Sequence, residues 1–333
     1  MNTEQSSSSQ VSSASGTGPG TRSLAQGLRW ATSLLAEAGV ETAENDAVLL
    51  AAHLTGLDRG EVQAKAIIGA DTPTGYRELV ERRAQRVPLQ HLIGKAPFRR
   101  VELEVGPGVF IPRPETELLV ELVTERLREA QAEGRAHPVV VDLCTGSGAI
   151  AAALADEAPH ARIHAVELSE QAHVWAARNL APYKRVELRL ADATQVPPER
   201  TGTVDVVVSN PPYVPESEAP LPPEVADHDP AMALWGGGDD GMTVPNRIIA
   251  AAAQWLRPGG YLAVEHAESQ AQAVARAFHT HGFTHVELHH DLAQRPRATA
   301  GFLATPRTSE PCQPESELRQ YQADPSPQHG VQE

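Results

Sequence analysis

The sequence predicts an α/β protein: a mostly parallel, doubly wound sheet of seven strands, with one antiparallel strand, behind a small helical bundle and a β-hairpin. Three observations carry that expectation. Beyond Pro138, apolar runs of strand length alternate with runs of helical period, the pattern of a sheet built from crossovers. Near Phe98 the apolar period switches from helical to two. The last two apolar runs, residues 286–290 and 299–304, have no helix between them, and a parallel crossover needs a dozen residues or more, so one strand near an edge runs antiparallel.

Taken in order, residues 1–22 are rich in Ser and Gly and hold almost nothing apolar, and residues 306–333 read the same way; both are expected to be disordered tails. Residues 23–88 read as a helical domain of three or four helices. Leu24, Leu28, Ala31, Leu35 and Ala38 share one face up to a stop at Gly39; Val48, Ala51, Ala52 and Leu54 repeat the style, then Tyr76, Leu79, Val80 and Arg83. Residues 89–112 read as a linking hairpin, with Val101, Leu103 and Val105 on one arm, Gly106-Pro107-Gly108 as its turn, and Val109 and Ile111 on the other. Pro112 and Pro114 end it; residues 113–305 read as the second domain, with a first helix at 115–132. Strands follow at 139–142, 162–167, 186–190, 204–210, 261–265, 286–290 and 299–304, with helices at 149–157, 170–180, 246–256 and 269–281.

Composition narrows the function. The formal net charge is −15 and the isoelectric point about 5.4, which makes naked nucleic acid a poor substrate. Two cysteines, Cys144 and Cys312, exclude a disulfide scaffold and a multi-cysteine zinc site, and no metal site is expected. No apolar run is long enough for a membrane helix and the N-terminus has no signal-peptide core, so the expectation is a cytoplasmic protein without a membrane partner.

The first strand ends in Asp142 and runs into Thr145-Gly146-Ser147-Gly148, with a helix starting at Ala149. Glycines there let the backbone approach a ligand, and in open α/β sheets ligands sit outside the carboxyl ends of the strands. The loop nearly meets a dinucleotide fingerprint, which alone is weak. Glu167 and Asp192 add weight. Glu167 ends the second strand, where a carboxylate can accept from both hydroxyls of a ribose, and Asp192 follows the third, where an acid can meet an adenine amino group.

The fourth strand, Val206-Val207-Val208, ends in Asn210-Pro211-Pro212-Tyr213. That composition suits a planar nitrogen acceptor, an amide or an exocyclic amine, whose delocalised lone pair is a poor nucleophile. The Asn210 side-chain oxygen and the Pro211 carbonyl can accept both N–H hydrogens, while Tyr213 stacks on the flat group. Residues 214–241 form a long proline-rich segment ending in Gly236-Gly237-Gly238-Asp239-Asp240-Gly241, read as a lid or substrate platform whose acidity would suit a basic loop.

The blocks "DLCTGSGAIA", "NPPY" and "PLQHLIGKAPF…VFIPRPETELLVE" resemble the peptide chain release factor N5-glutamine methyltransferases, from about Leu24 to Ala304. The resemblance implies a Rossmann-like class I fold, S-adenosyl-L-methionine as cofactor, and the glutamine of a Gly-Gly-Gln loop in class-1 release factors as acceptor. It implies that Cys144, Thr145, Gly146, Ser147 and Gly148 hold the methionine part of the cofactor, with Asp142 beneath them. Glu167 would bind the ribose; Asp192 and Ala193 would line the adenine pocket. Asn210 would border both ligands, and Pro211, Pro212, Tyr213 and Phe110 would enclose the glutamine. Arg113 and Glu115 would support the floor between domains. Two departures stand out: Cys144 and Ala267 occupy positions where the family often has glycine, and His266, in "VEHAESQ", reads as structural. The Asn-Pro-Pro-Tyr motif is shared with DNA and RNA amino-methyltransferases, the leading alternative. A cofactor-binding bridge without turnover and a dinucleotide oxidoreductase are the others.

Overall fold

The computed structural model describes residues 23–305; the two expected tails lie outside the described residues. The first five helices are α1 (Leu24–Glu37), α2 (Ala43–Thr55), α3 (Arg59–Ile67), α4 (Tyr76–Ala84) and the short α5 (Leu89–Ile93). Their core joins Leu24, Ala31 and Leu35 to Leu50, Val62, Tyr76 and Val80. α3 was not separable in the sequence: it buries one residue, Val62, and forms because Asp58 and Glu61 cap it reciprocally, each side chain accepting from the other's backbone N–H. Arg83, on the predicted apolar face of α4, is buried and paired with Asp46 at 2.8 Å.

The hairpin is shorter than expected and turns earlier. β1 (Lys95–Phe98) pairs antiparallel with β2 (Val101–Glu104), with Phe98 opposite Val101, so Arg99-Arg100 is the turn. Gly106-Pro107-Gly108 is a packing element. A Cβ at Gly106 would stand 2.6 Å from the Trp175 ring, and Gly108 has φ +88° against Gln171. Val109 and Ile111 are buried but form no strand.

A 3-10 turn at Pro114–Thr116 leads into α6 (Glu117–Ala132), followed by β3 (Val139–Leu143), α7 (Ala149–Glu157), β4 (Arg162–Glu167), α8 (Glu170–Leu180), β5 (Val186–Leu190) and β6 (Val204–Ser209). Then come α9 (Pro223–His228), α10 (Ala231–Leu234), α11 (Thr243–Trp255), β7 (Leu256–Glu265), α12 (Ala271–Thr280), β8 (Phe283–His290) and β9 (Pro296–Leu303). The seven-stranded sheet has the order β5-β4-β3-β6-β7-β9-β8, and β9 alone runs against its neighbours, one position from the edge, as the missing crossover predicts. Alternate residues of the central strands serve opposite faces. Val140, Val206 and Val208 pack with α6, α7 and α8; Val141, Val207 and Leu262 pack with α11 and α12. Burial on both faces is why these strands read as continuous valine runs. Among the described residues no helix is long and apolar enough to cross a membrane.

Candidate functional site

The chain reverses its winding direction at β3, with β4 on one side and β6 on the other. Ligand clefts in open α/β sheets open at such a point. A cavity of about 260 Å³ lies there, walled by the segments leaving β3, β4, β5 and β6, by Phe110, Pro112 and Thr116, and by Pro230 to Leu234.

The β3–α7 loop is built for close approach. Cys144, Gly146 and Gly148 all have positive φ, at 62°, 58° and 82°. The left-handed turn at Cys144 costs an L-residue about 1 kcal/mol or more, a conformation that glycine adopts without that cost; the small thiol fits and is free. A Cβ on Gly148 would press Leu180 at 3.0 Å. Glu167 fixes the loop from β4: one carboxylate oxygen accepts from Gly146 N at 2.7 Å, the other from Ser169 N at 2.8 Å. Burial raises the Glu167 pKa, and those backbone N–H groups pull it back. Asp142 is fully buried beneath the loop and accepts from the Thr145 hydroxyl. Burial pushes its pKa up to about 7. Asp192 accepts from the Thr194 hydroxyl and backbone N–H, at 2.7 and 2.9 Å, and these bonds lower its pKa.

Across the cavity, Asn210 Nδ2 donates to Thr116 Oγ1 at 3.1 Å. Tyr213 Oη donates to Glu265 Oε1 at 3.0 Å, and its carbonyl accepts from Gln270 Nε2 at 2.7 Å. Phe110 lines the same cavity, backed by the Arg113 guanidinium 4.8 Å from its ring centre. Arg113 in turn pairs with the buried Asp229 at 2.6 Å. The segment after Tyr213 is short helices and turns fastened at both ends. Val214 exchanges backbone bonds with Leu234 and Gly236, and Glu224 is gripped by Arg83 and Arg86 of the bundle.

The cavity wall therefore gathers Cys144, Thr145, Gly146, Ser147, Glu167, Asp192, Ala193, Asn210, Pro211, Pro212, Tyr213 and Phe110 from the sequence-predicted set. It does not include Asp142, which holds Thr145 from below, or Gly148, which caps α7. Arg113 and Glu115 also stand outside the wall, the first behind Phe110 and the second 3.4 Å from Arg295. His266 is fully buried, its ring bonded to Thr299 Oγ1 and the Ala267 carbonyl, a structural histidine as expected. Sequence reasoning missed Thr116, Gln270 and Asp229. Thr116 stands in the singled-out "IPRPETE", but its partner lies 94 positions along the chain.

The wall meets the requirements of S-adenosyl-L-methionine. It offers a loop whose positive φ values bring backbone close, a buried carboxylate suited to a diol, a second carboxylate beside the small Ala193, and apolar surface between them. Among the described residues no cluster of His, Cys, Asp or Glu could hold a metal ion.

Fold and site together define a Rossmann-like methyltransferase, and the "Methyltransferase small domain" family model matches residues 105–221. The "PrmC N-terminal domain" model matches residues 26–94. A release factor glutamine methyltransferase of Mycolicibacterium smegmatis is 50% identical over 277 residues, spanning 82% of this chain and 95% of the relative. One from Streptomyces coelicolor is 47% identical over 278 residues, spanning 83% and 96%. The chain belongs to the release factor glutamine methyltransferase family. A 4-amino-L-phenylalanine/4-methylamino-L-phenylalanine methyltransferase of Streptomyces pristinaespiralis is also similar, 37% identical over 287 residues, spanning 85% and 95%.

Proposed function

We propose that this protein methylates the side-chain amide nitrogen of the glutamine in the Gly-Gly-Gln loop of class-1 peptide chain release factors. S-adenosyl-L-methionine supplies the methyl group on a positively charged sulfur. The observation that carries this reading is the meeting, in one cavity, of the β3–α7 glycine loop with the Asn-Pro-Pro-Tyr exit of β6. Cys144 to Gly148 receive the amino-acid end of the cofactor, Glu167 its ribose, and Asp192 and Ala193 its adenine. The Asn210 side-chain oxygen and the Pro211 carbonyl accept the two amide hydrogens. They orient the nitrogen lone pair and draw electron density onto it, and the rings of Tyr213 and Phe110 sandwich the amide plane. No base is needed to start the transfer, because the N–H proton becomes acidic only once the nitrogen carries the methyl.

The helical residues 23–88 recognise the body of the release factor, and the segment 214–241 forms the platform for its loop. That segment holds seven acids and no Lys or Arg. Glu216, Glu218, Asp227 and Asp239 are exposed, a field suited to a basic loop. A translation factor as substrate makes the cytoplasm the place of action.

The test is mass spectrometry of release factor after incubation with the protein and cofactor. A gain of one methyl on the Gly-Gly-Gln glutamine is expected, with none on naked DNA or RNA and none on 4-amino-L-phenylalanine. Methylation of either alternative with the glutamine untouched would overturn the assignment.

A further inference from the structure

The polar contacts behind the Asn-Pro-Pro-Tyr exit converge on two buried residues, Thr116 and Glu265, which are 5% and 2% exposed. Thr116 accepts from Asn210 Nδ2, and a threonine hydroxyl has a single proton to give elsewhere. The Glu265 carboxylate lies in the same buried group, and the Thr116 hydroxyl favours its anionic form. Its Oε1 takes the Tyr213 hydroxyl, and its Oε2 makes no hydrogen bond of its own. In the 3.1 Å contact Thr116 therefore presents a lone pair to Asn210. Only the NH₂ end of the Asn210 amide can meet a lone pair. Its oxygen is thereby turned away from Thr116, free to accept from substrate.

A stability role does not account for Glu265. Burial raises its pKa to about 7, opposed by the Thr116 and Tyr213 hydroxyls and the Arg297 charge, and assisted by Glu115. A carboxyl whose pKa is higher folded than unfolded loses stability as pH rises toward neutrality, so a neutral isostere would serve the fold better. The charged groups around it are Arg297 on β9 and Glu115 in the turn before α6, while His266 is engaged with Thr299.

Resting on the function proposed above, we infer that Thr116 and Glu265 are positioning residues for the methyl acceptor: Thr116 sets which end of the Asn210 amide faces the glutamine, and Glu265 sets where the Tyr213 ring lies. Gln270 completes the support on the main chain, its Nε2 donating to the carbonyls of Tyr213 and Asp240.

The test compares Thr116→Val, Thr116→Ser and Glu265→Gln in steady-state methylation of release factor, with cofactor affinity by calorimetry and thermal melting of each protein. Thr116→Val is expected to lower kcat about tenfold to a hundredfold, since a misaligned reacting group costs that much. Cofactor Kd stays within about twofold, and the serine variant recovers kcat to within about threefold. Glu265→Gln weakens the acceptor of the Tyr213 hydroxyl and is expected to lower kcat. The inference is overturned if Thr116→Val keeps wild-type kcat, if its loss merely tracks unfolding, if serine does not rescue it, or if Glu265→Gln keeps wild-type kcat. Should Glu265→Gln fail to fold, the valine and serine pair decides alone. Wild type inactive on release factor sinks the function reading; an active wild type with an unaffected Thr116→Val sinks only this inference.

Discussion

Neutralising Glu224 measures how firmly the segment after Tyr213 is held to the helical bundle. Its carboxylate, on α9, takes Arg83 Nη1 at 3.0 Å and Arg86 Nε at 2.7 Å on one oxygen, and Arg86 Nη2 on the other. Burial works to raise its pKa, yet the two guanidiniums win and hold it at about 2, against 4.5 for an ordinary Glu. A depression of that size corresponds to at most about 3 kcal/mol. The Glu224 side chain is 21% exposed, and water screens part of the attraction, which leaves about 1 to 2 kcal/mol. Glu224→Gln removes the charge and keeps the shape. Arg83 retains Asp46, so the bundle itself stays folded. Cleavage between residues 214 and 241 under limited proteolysis tracks the open population, and is expected to speed up about 5- to 30-fold. KM for release factor rises by at most that factor, while cofactor Kd is unchanged. The sign with pH follows from the lowered pKa: the stabilisation is full above about pH 4.5 and fades only as pH falls toward 2. Wild-type proteolysis should therefore be flat from neutrality down to mild acid. Unchanged cleavage in Glu224→Gln, or a loss that falls on cofactor binding, would refute the clamp.

Three further outcomes follow from the geometry. Glu167→Ala removes the brace on Gly146 and the acceptor proposed for the ribose, and calorimetry should show cofactor affinity falling by about tenfold to a hundredfold, a charge-assisted hydrogen bond being worth about 1.5 to 3 kcal/mol. Gly106→Ala drives a methyl into the Trp175 ring and should cost about 1 to 3 kcal/mol in denaturant unfolding; a neutral effect would restore the reading of Gly106-Pro107-Gly108 as a free turn. Cys144→Gly relieves a left-handed residue but loosens the unfolded chain, so its melting point should stay close to wild type with activity kept, whereas Cys144→Val should lose both.

The sheet was legible because its strands are buried on both faces and its crossovers are complete helices, so alternation along the chain maps onto layers. The placement of three proposed site residues was legible for the same reason: Glu167 ends a strand, and Asp192 and Asn210 follow theirs. What stayed hidden depends on contacts between distant segments. The hairpin turn falls at Arg99-Arg100, a pair without turn character, because Arg99 is held by Glu157 and Glu117 on two other helices. Gly106 looked like a turn residue because nothing in the sequence places Trp175 against it. Thr116, Glu265 and Gln270 gain meaning only when three segments meet behind Asn210. The interaction of Glu224 and Asp229 with arginines of earlier segments likewise converts an apparently loose acidic stretch into a fastened one.

The central claim is that the Asn210 oxygen grips the acceptor amide at the moment of transfer. The most direct measurement is the single-turnover rate of methyl transfer to release factor by Asn210→Ala, with cofactor affinity determined on the same protein. The account predicts a rate lower by about a hundredfold to a thousandfold, as for loss of one preorganised polar contact at a reacting group, with cofactor Kd changed by no more than a few-fold. A wild-type rate, or a loss accounted for wholly by weaker cofactor binding, would contradict it.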